Sequence, residues 1–246
     1  MENINIGTSG YDYKWFKVHK NDTLKFYSGL FRTLELNSSF YKTPTEKQCI
    51  KLLNETPNNF ILTLKIQKYI THNNRLSNYY VDNFIKDISI VLPKVECILF
   101  QFPERFACTE SNFEKLKNIS YNPSIRYAFE FRHHTWYNNN VNNFFATRKR
   151  WTIVIYCMPK NYVNFDLDTL VPTSEFLYIR FHGSLDLYIG SHHDVLHKFV
   201  KFIRKMYDHN IKDLYIYFNN TDASTNGTFV PDAIYDANLM KELLIV

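Results

Sequence analysis

The chain has 246 residues, of which 45% are apolar, 22% charged and 17% aromatic. That much buryable surface excludes wholesale disorder, and only 6 Gly and 8 Pro exclude collagen-like or proline-rich low complexity. The formal charge of +5 suits an anionic ligand or nucleic acid, yet falls short of the basicity of a dedicated nucleic-acid binder. Cys49, Cys97, Cys108 and Cys157 form no CxxC. Reduced thiols and a cytoplasmic compartment are therefore expected. The opening MENINIGTSG lacks the basic and apolar regions of a signal peptide. No apolar run approaches the ~20 residues of a spanning helix, so no membrane partner is expected.

In chain order, strands are predicted at Asn3–Ile6, Thr33–Leu36, Phe60–Ile66, Cys97–Phe102, Tyr127–Phe131, Thr152–Tyr156, Phe176–Phe181 and Leu214–Phe218. Most are continuous apolar runs, as suits strands of a parallel sheet buried on both faces. Between them lie helical stripes: Phe84, Ile88 and Val91, then Phe199, Phe202, Ile203 and Met206. Thr45 and Gln48 carry a capping-box spacing, and Leu239–Leu244 closes the chain with an amphipathic turn. The Gly-rich fingerprint of a dinucleotide fold is missing after the first strand. Eight strands alternating with helices predict an α/β fold, a single (β/α)8 TIM barrel in which residues 1–246 make one domain.

Such barrels gather their active sites at the carboxyl ends of the strands. There this sequence places GTSGY (Gly7–Tyr11), then Glu35, Asn37, Ser39 and Tyr41, then Lys65 leading to His72. Further on come Gln101, then Glu130, Arg132, His133 and Trp136, then Arg180 and His182, and last Asn219 and Asn220. Charge within a buried strand costs several kcal/mol unless paired, so recurrence at so many strand ends points to a polar site.

Taken together, GTSGY, LELNSSFYKTP, the lysine strand leading into ITHNNRL, FQFP, FEFRHHTW, YIRFHG and YIYFNN resemble the domain-of-unknown-function family 72, the YecE-like proteins. The match runs in order from Gly7 to about Asn220. The resemblance implies a TIM barrel and brings no settled reaction. Tyr11 stands where that family usually has Trp, and the stretch from Thr221 to Asn238 diverges from its usual short link.

Glu35 and Glu130 are the carboxylates at inward strand ends, readable as bases or as structural partners of Lys65, Arg132 or Arg180. His72 and His182 are acid/base candidates, or could join the glutamates around a divalent metal. Lys65, Arg132 and Arg180 would compete for those carboxylates and repel a dication, so no cofactor is expected. The same three cations form an anion clamp, unless the glutamates consume them. Asn37, Gln101, Asn219 and Asn220 would fix ligand hydroxyls or orient charges. Tyr11, Tyr41, Trp136 and Tyr188 would wall a sugar or base, or pack the loops over the mouth. The leading expectation is an enzyme doing acid/base chemistry on a small anionic carbohydrate- or nucleotide-like substrate. The rivals are a nucleic-acid-binding or DNA-processing protein, endonuclease-like and metal-dependent, and a non-catalytic ligand sensor.

Overall fold

The computed structural model describes residues 3–16, 22–73, 75–206, 209–219 and 221–245. It is a mixed α/β structure in two compact units. One comprises residues 1–35 and 154–246, the other residues 36–153.

The first unit holds β1 (Asn3–Ser9), α1 (Thr23–Leu30) and β2 (Thr33–Leu36, whose last residue belongs to the other unit). α2 (Glu46–Asn54), β3 (Ile61–Lys65), α3 (Lys68–His72), α4 (Asn78–Asp87), β4 (Val95–Gln101) and α5 (Glu110–Lys117) belong to the second unit. So do β5 (Arg126–Glu130), α6 (Asn139–Ala146) and β6 (Trp151–Ile153). The first unit resumes with β7 (Ile155–Met158), β8 (Tyr162–Val163), β9 (Phe176–Phe181), α7 (His193–Met206), β10 (Asp213–Asn219) and α8 (Asp232–Ile245).

Within the first unit the strand order is β2-β1-β10-β9-β7-β8, parallel except for the short β8. Within the second it is β3-β4-β5-β6, all parallel. The expected strands are present, two of them with unchanged bounds, Thr33–Leu36 and Phe176–Phe181. Thr152–Tyr156 is instead two strands. The Asn164 amide accepts from the Tyr156 N–H at 2.7 Å and donates to the Val154 carbonyl at 2.9 Å, taking ladder partners at the break. β8 was not foreseen. The parallel arrangement agrees with an α/β reading, while eightfold closure goes beyond what the two units show separately.

Alternation sorts the strands of the first unit. β1 turns Asn5, Gly7 and Ser9 to one face, β2 Thr33 and Glu35, β9 Tyr178 and Arg180, and β10 Tyr215, Tyr217 and Asn219. The other face is aliphatic and aromatic: Ile6, Leu34, Ile179, Phe181, Ile216 and Phe218, all buried. α7 covers apolar surface with Phe199, Phe202, Ile203 and Met206, all buried. In the second unit Val81 and Phe84 of α4 are buried, as are Ile88 and Val91 just beyond it. Thr45 caps α2 in a complete capping box with Gln48. α8 begins seven residues before the expected Leu239.

Candidate active site

At the carboxyl edge of the first unit, register puts Ser9 beside both Glu35 and Asn219. Glu35 is completely buried, and its carboxylate receives four donors. Ser9 Oγ donates to Oε1 at 2.6 Å and the Tyr178 hydroxyl to Oε2 at 2.6 Å. Arg180 donates through Nε at 3.0 Å and through Nη2 at 2.7 Å. Both charges of this pair are removed from water and offset each other, as a buried pair requires. The geometry favours the structural alternative for Glu35 and Arg180: the fork expected to hold an anion already holds a carboxylate.

His182 is buried beside them. Its Nδ1 accepts from Asn219 Nδ2 at 3.2 Å, and Asn219 also donates to the Leu187 carbonyl at 3.3 Å. The His182 carbonyl accepts from His192 Nε2, while the Cys157 thiol lies 3.7 Å from His192 Nδ1. Burial pushes the Cys157 thiol up to about 12, which keeps it protonated. His192, just before α7, is buried, which sequence reasoning missed. Its N–H donates to Asp236 Oδ2 at 2.7 Å. Asp236 and Asp232, both missed by sequence reasoning, tie the loops together. Asp232 accepts from Gly190 N at 3.2 Å, from Thr225 N and Oγ1 at 2.8 Å, and from Asn226 Nδ2 at 2.8 Å. The stretch after β10 is thus anchored by the first turn of α8. Asn220 lies outside the described residues.

The loop after β9 is closed by its own backbone. Ser184 N donates to Gly190 O at 3.1 Å and Leu185 N to Ile189 O at 2.9 Å. A Cβ at Gly183 would meet Asp186 O at 2.1 Å, so only glycine fits. Tyr188 is exposed on this loop. Tyr11 is half-buried against Tyr27, with ring centroids 6.4 Å apart.

In the second unit Glu130 is fully buried at the end of β5. It receives Arg132 Nε at 2.7 Å and pairs with Arg132 Nη2 as well. Gln101 is its register neighbour on β4. Lys65, at the end of β3, sets its ammonium 4.1 Å from the Phe40 ring centroid. Phe40 is held there because Ser39 Oγ, on the 3-10 turn Asn37–Phe40, bonds the carbonyls of Leu36 and Lys65 at 2.6 and 2.7 Å. On the same turn, Asn37 Oδ1 is buried with no hydrogen-bond partner among the described residues. Tyr41, next to it, is exposed.

His72, at the end of α3, meets Phe40 edge to face at 5.1 Å, and its Nδ1 lies 2.9 Å from Thr71 Oγ1. Burial, then Lys65, Arg105 and Lys68, lower it from the ordinary 6.5 to about 4, so it is neutral at physiological pH. Arg105, from the segment after β4, also donates to the His72 carbonyl. Lys68 and Arg105 were missed because an exposed Lys on a helix and an Arg in a loop look like ordinary surface. Trp136 is corrected. It is wholly buried, stacked on Phe131 at 4.2 Å and Phe106 at 5.4 Å, with its indole N–H donated to Phe106 O at 2.6 Å. It belongs to the core and not to an exposed wall.

The groups thus fall into three polar sets: a saturated carboxylate–guanidinium network with a fixed imidazole, the buried Glu130–Arg132 pair beside Gln101, and a cation-rich imidazole site. Among the described residues no three His, Cys, Asp or Glu side chains cluster as metal ligands.

The sequence model of the DUF72 family, described as proteins of unknown function, matches residues 5–244. The chain belongs to that family. A curated relative, the UPF0759 protein YunF of Bacillus subtilis, is 28% identical over 131 residues, covering 50% of this chain and 46% of YunF. The alignment therefore spans less than half of that relative. Two solved DUF72 proteins superpose with a TM-score of 0.80. The one from Thermotoga maritima is 24% identical and covers 100% of each chain. The one from Enterococcus faecalis is 20% identical and covers 99% of this chain and 96% of that one. More distantly, a xylose isomerase domain protein from Alicyclobacillus acidocaldarius is 10% identical with a TM-score of 0.58 over 98% of each chain. At these identities the likeness concerns fold alone, and it makes the DUF72 fold TIM-barrel-like.

Proposed function

We propose that this DUF72 protein is an enzyme using acid/base chemistry on a small anionic ligand of carbohydrate or nucleotide type. The observation that carries the proposal is the neutral, half-buried imidazole of His72 in the field of Lys65, Arg105 and Lys68. Cations gathered about a partly desolvated aromatic floor attract an anion, and an unprotonated imidazole beside them can take a proton. Supporting it, Asn37 Oδ1 is a buried acceptor suited to a ligand hydroxyl, and the exposed Tyr41 ring suits stacking on a sugar or base. Gln101 and Glu130 are assigned to ligand hydroxyls and to proton abstraction, with Arg132 orienting Glu130. Glu35 and Arg180 are assigned a structural role.

No cofactor is required by this scheme. We take the two units as one domain and a (β/α)8 barrel, in line with the family match across both. The four cysteines are free thiols, which suits a reducing, cytoplasmic compartment. Among the described residues no helix is long and apolar enough to cross a membrane.

The test is calorimetric binding of phosphosugars, nucleoside monophosphates and a short oligonucleotide, followed by product analysis. Saturable binding of a small phosphorylated ligand that weakens about tenfold or more in Lys65→Met, with turnover abolished in Glu130→Gln, is expected. Tight oligonucleotide binding with a salt dependence of several counterions, and none of the small ligands, would replace this reading by the nucleic-acid one. Of the two imidazoles, His72 is given the proton-transfer role. Turnover that survives His72→Gln and dies in His182→Gln would move the role to His182.

A further inference from the structure

Three cations act on His72: Lys65 from the end of β3, Arg105 from the segment after β4, and Lys68 from α3 itself. Phe40, from the 3-10 turn, contributes an uncharged ring. Among the described residues, the charges that lower the imidazole are these three cations. At rest, three like charges and partial burial all oppose a proton on the ring. A doubly charged anion among those cations would cancel the repulsion and attract a fourth positive charge.

The ring is built to change charge in place. Thr71 Oγ1 stands 2.9 Å from His72 Nδ1, and Thr71 is itself buried. A hydroxyl can donate to a bare nitrogen or accept from a protonated one, so this hydrogen bond survives in either state. That bond engages Nδ1 and not Nε2.

Building on the anionic-ligand reading, we infer that this site binds a dianionic tetrahedral oxyanion, a phosphate or sulfate monoester, together with one proton from solvent that settles on His72. The ligand is held by Lys65, Lys68 and Arg105 and, once bound, by the imidazolium it has created. The enzyme then carries a protonated acid beside the ester oxygen only when substrate is present. Carboxylate ligands of single charge recruit the proton weakly and bind weakly.

Sulfate is the probe, because its charge does not change between pH 5 and 8. Titration calorimetry of the full chain at pH 5.5 in two buffers of different ionisation enthalpy reads proton uptake directly. Uptake approaching one proton per sulfate is expected, with the dissociation constant rising at least fivefold from pH 5.5 to pH 7.5. In His72→Gln, uptake falls to zero and the residual binding becomes independent of pH. In Lys65→Met, binding weakens about tenfold or more while the uptake per sulfate bound persists. Sulfate binding by the wild type with neither uptake nor pH dependence overturns the inference and leaves the anionic-ligand reading standing. No binding of sulfate or of any phosphorylated ligand overturns both.

Discussion

Glu35 shows how four ordinary residues fix one another. Its two oxygens are met by a serine, a tyrosine and both arms of Arg180, and neither charged member is in contact with water. Removing one charge from such a pair leaves the other buried without compensation, which costs about 3–5 kcal/mol. Glu35→Gln should lower unfolding free energy by that amount in a urea titration, and Arg180→Met by a comparable amount. A loss below ~1 kcal/mol would show that solvent reaches the pair. In the sequence, an isolated Glu in LELNSS and an Arg in YIRFHG both read as site residues, because their strand positions faced inward. What the sequence does not contain is the count of donors, and that count separates a partnered glutamate from a reactive one. Trp136 failed for the related reason that stacking on Phe106 and Phe131 is a contact across distant segments.

At the scale of elements, α8 does more than close the chain. Its first two turns present Asp232 and Asp236 to the backbone of Gly190 and His192. Burial pushes Asp236 from 3.8 to about 6, with Ser191 and His192 pulling the other way. A folded value above the unfolded one means the native state binds that proton more tightly. The stability it contributes is complete below about pH 4 and is lost as pH rises through about 6. His72 acts with the opposite sign, since its lowered value costs stability as pH falls from 6.5 toward about 4. The difference between wild type and Asp236→Asn isolates the first effect: the wild type should gain on the variant between pH 7 and pH 5 in denaturant midpoint. A constant difference would show that Asp236 is ionised throughout. Thr45 offers a cleaner case of legibility. Its capping box was readable from spacing alone because the interaction is local, and Thr45→Ala should cost about 1 kcal/mol in the same assay. Asp232 and Asp236 were not readable, since acids on an amphipathic helix normally face solvent and only the loops they grip reveal otherwise.

For the molecule as a whole, apolar continuity located the strands and their order gave the α/β class, because both follow from local chain chemistry. The break at Val154 did not show, since it depends on an amide ten residues downstream. Thiol chemistry gives a global check of the packing. Cys49, Cys97 and Cys157 are buried, and Cys108 is half-buried with its thiol pushed upward by burial. A thiol reagent at pH 8 should therefore modify one cysteine slowly in the native protein and all four after denaturation. Rapid reaction of two or more in the native state would mean the core opens far more readily than its packing allows.

The loop from Gly183 to Gly190 carries a different kind of lesson. Its shape is written in main-chain hydrogen bonds and two glycines, while Leu185, Leu187, Tyr188 and Ile189 all project outward. Nothing in its conformation asks for those four side chains. Such a segment can exchange its outward chemistry from one descendant to the next without renegotiating the scaffold. It is a natural cassette for divergence, and the first place to randomise in a library that seeks new ligand preferences on an unchanged backbone.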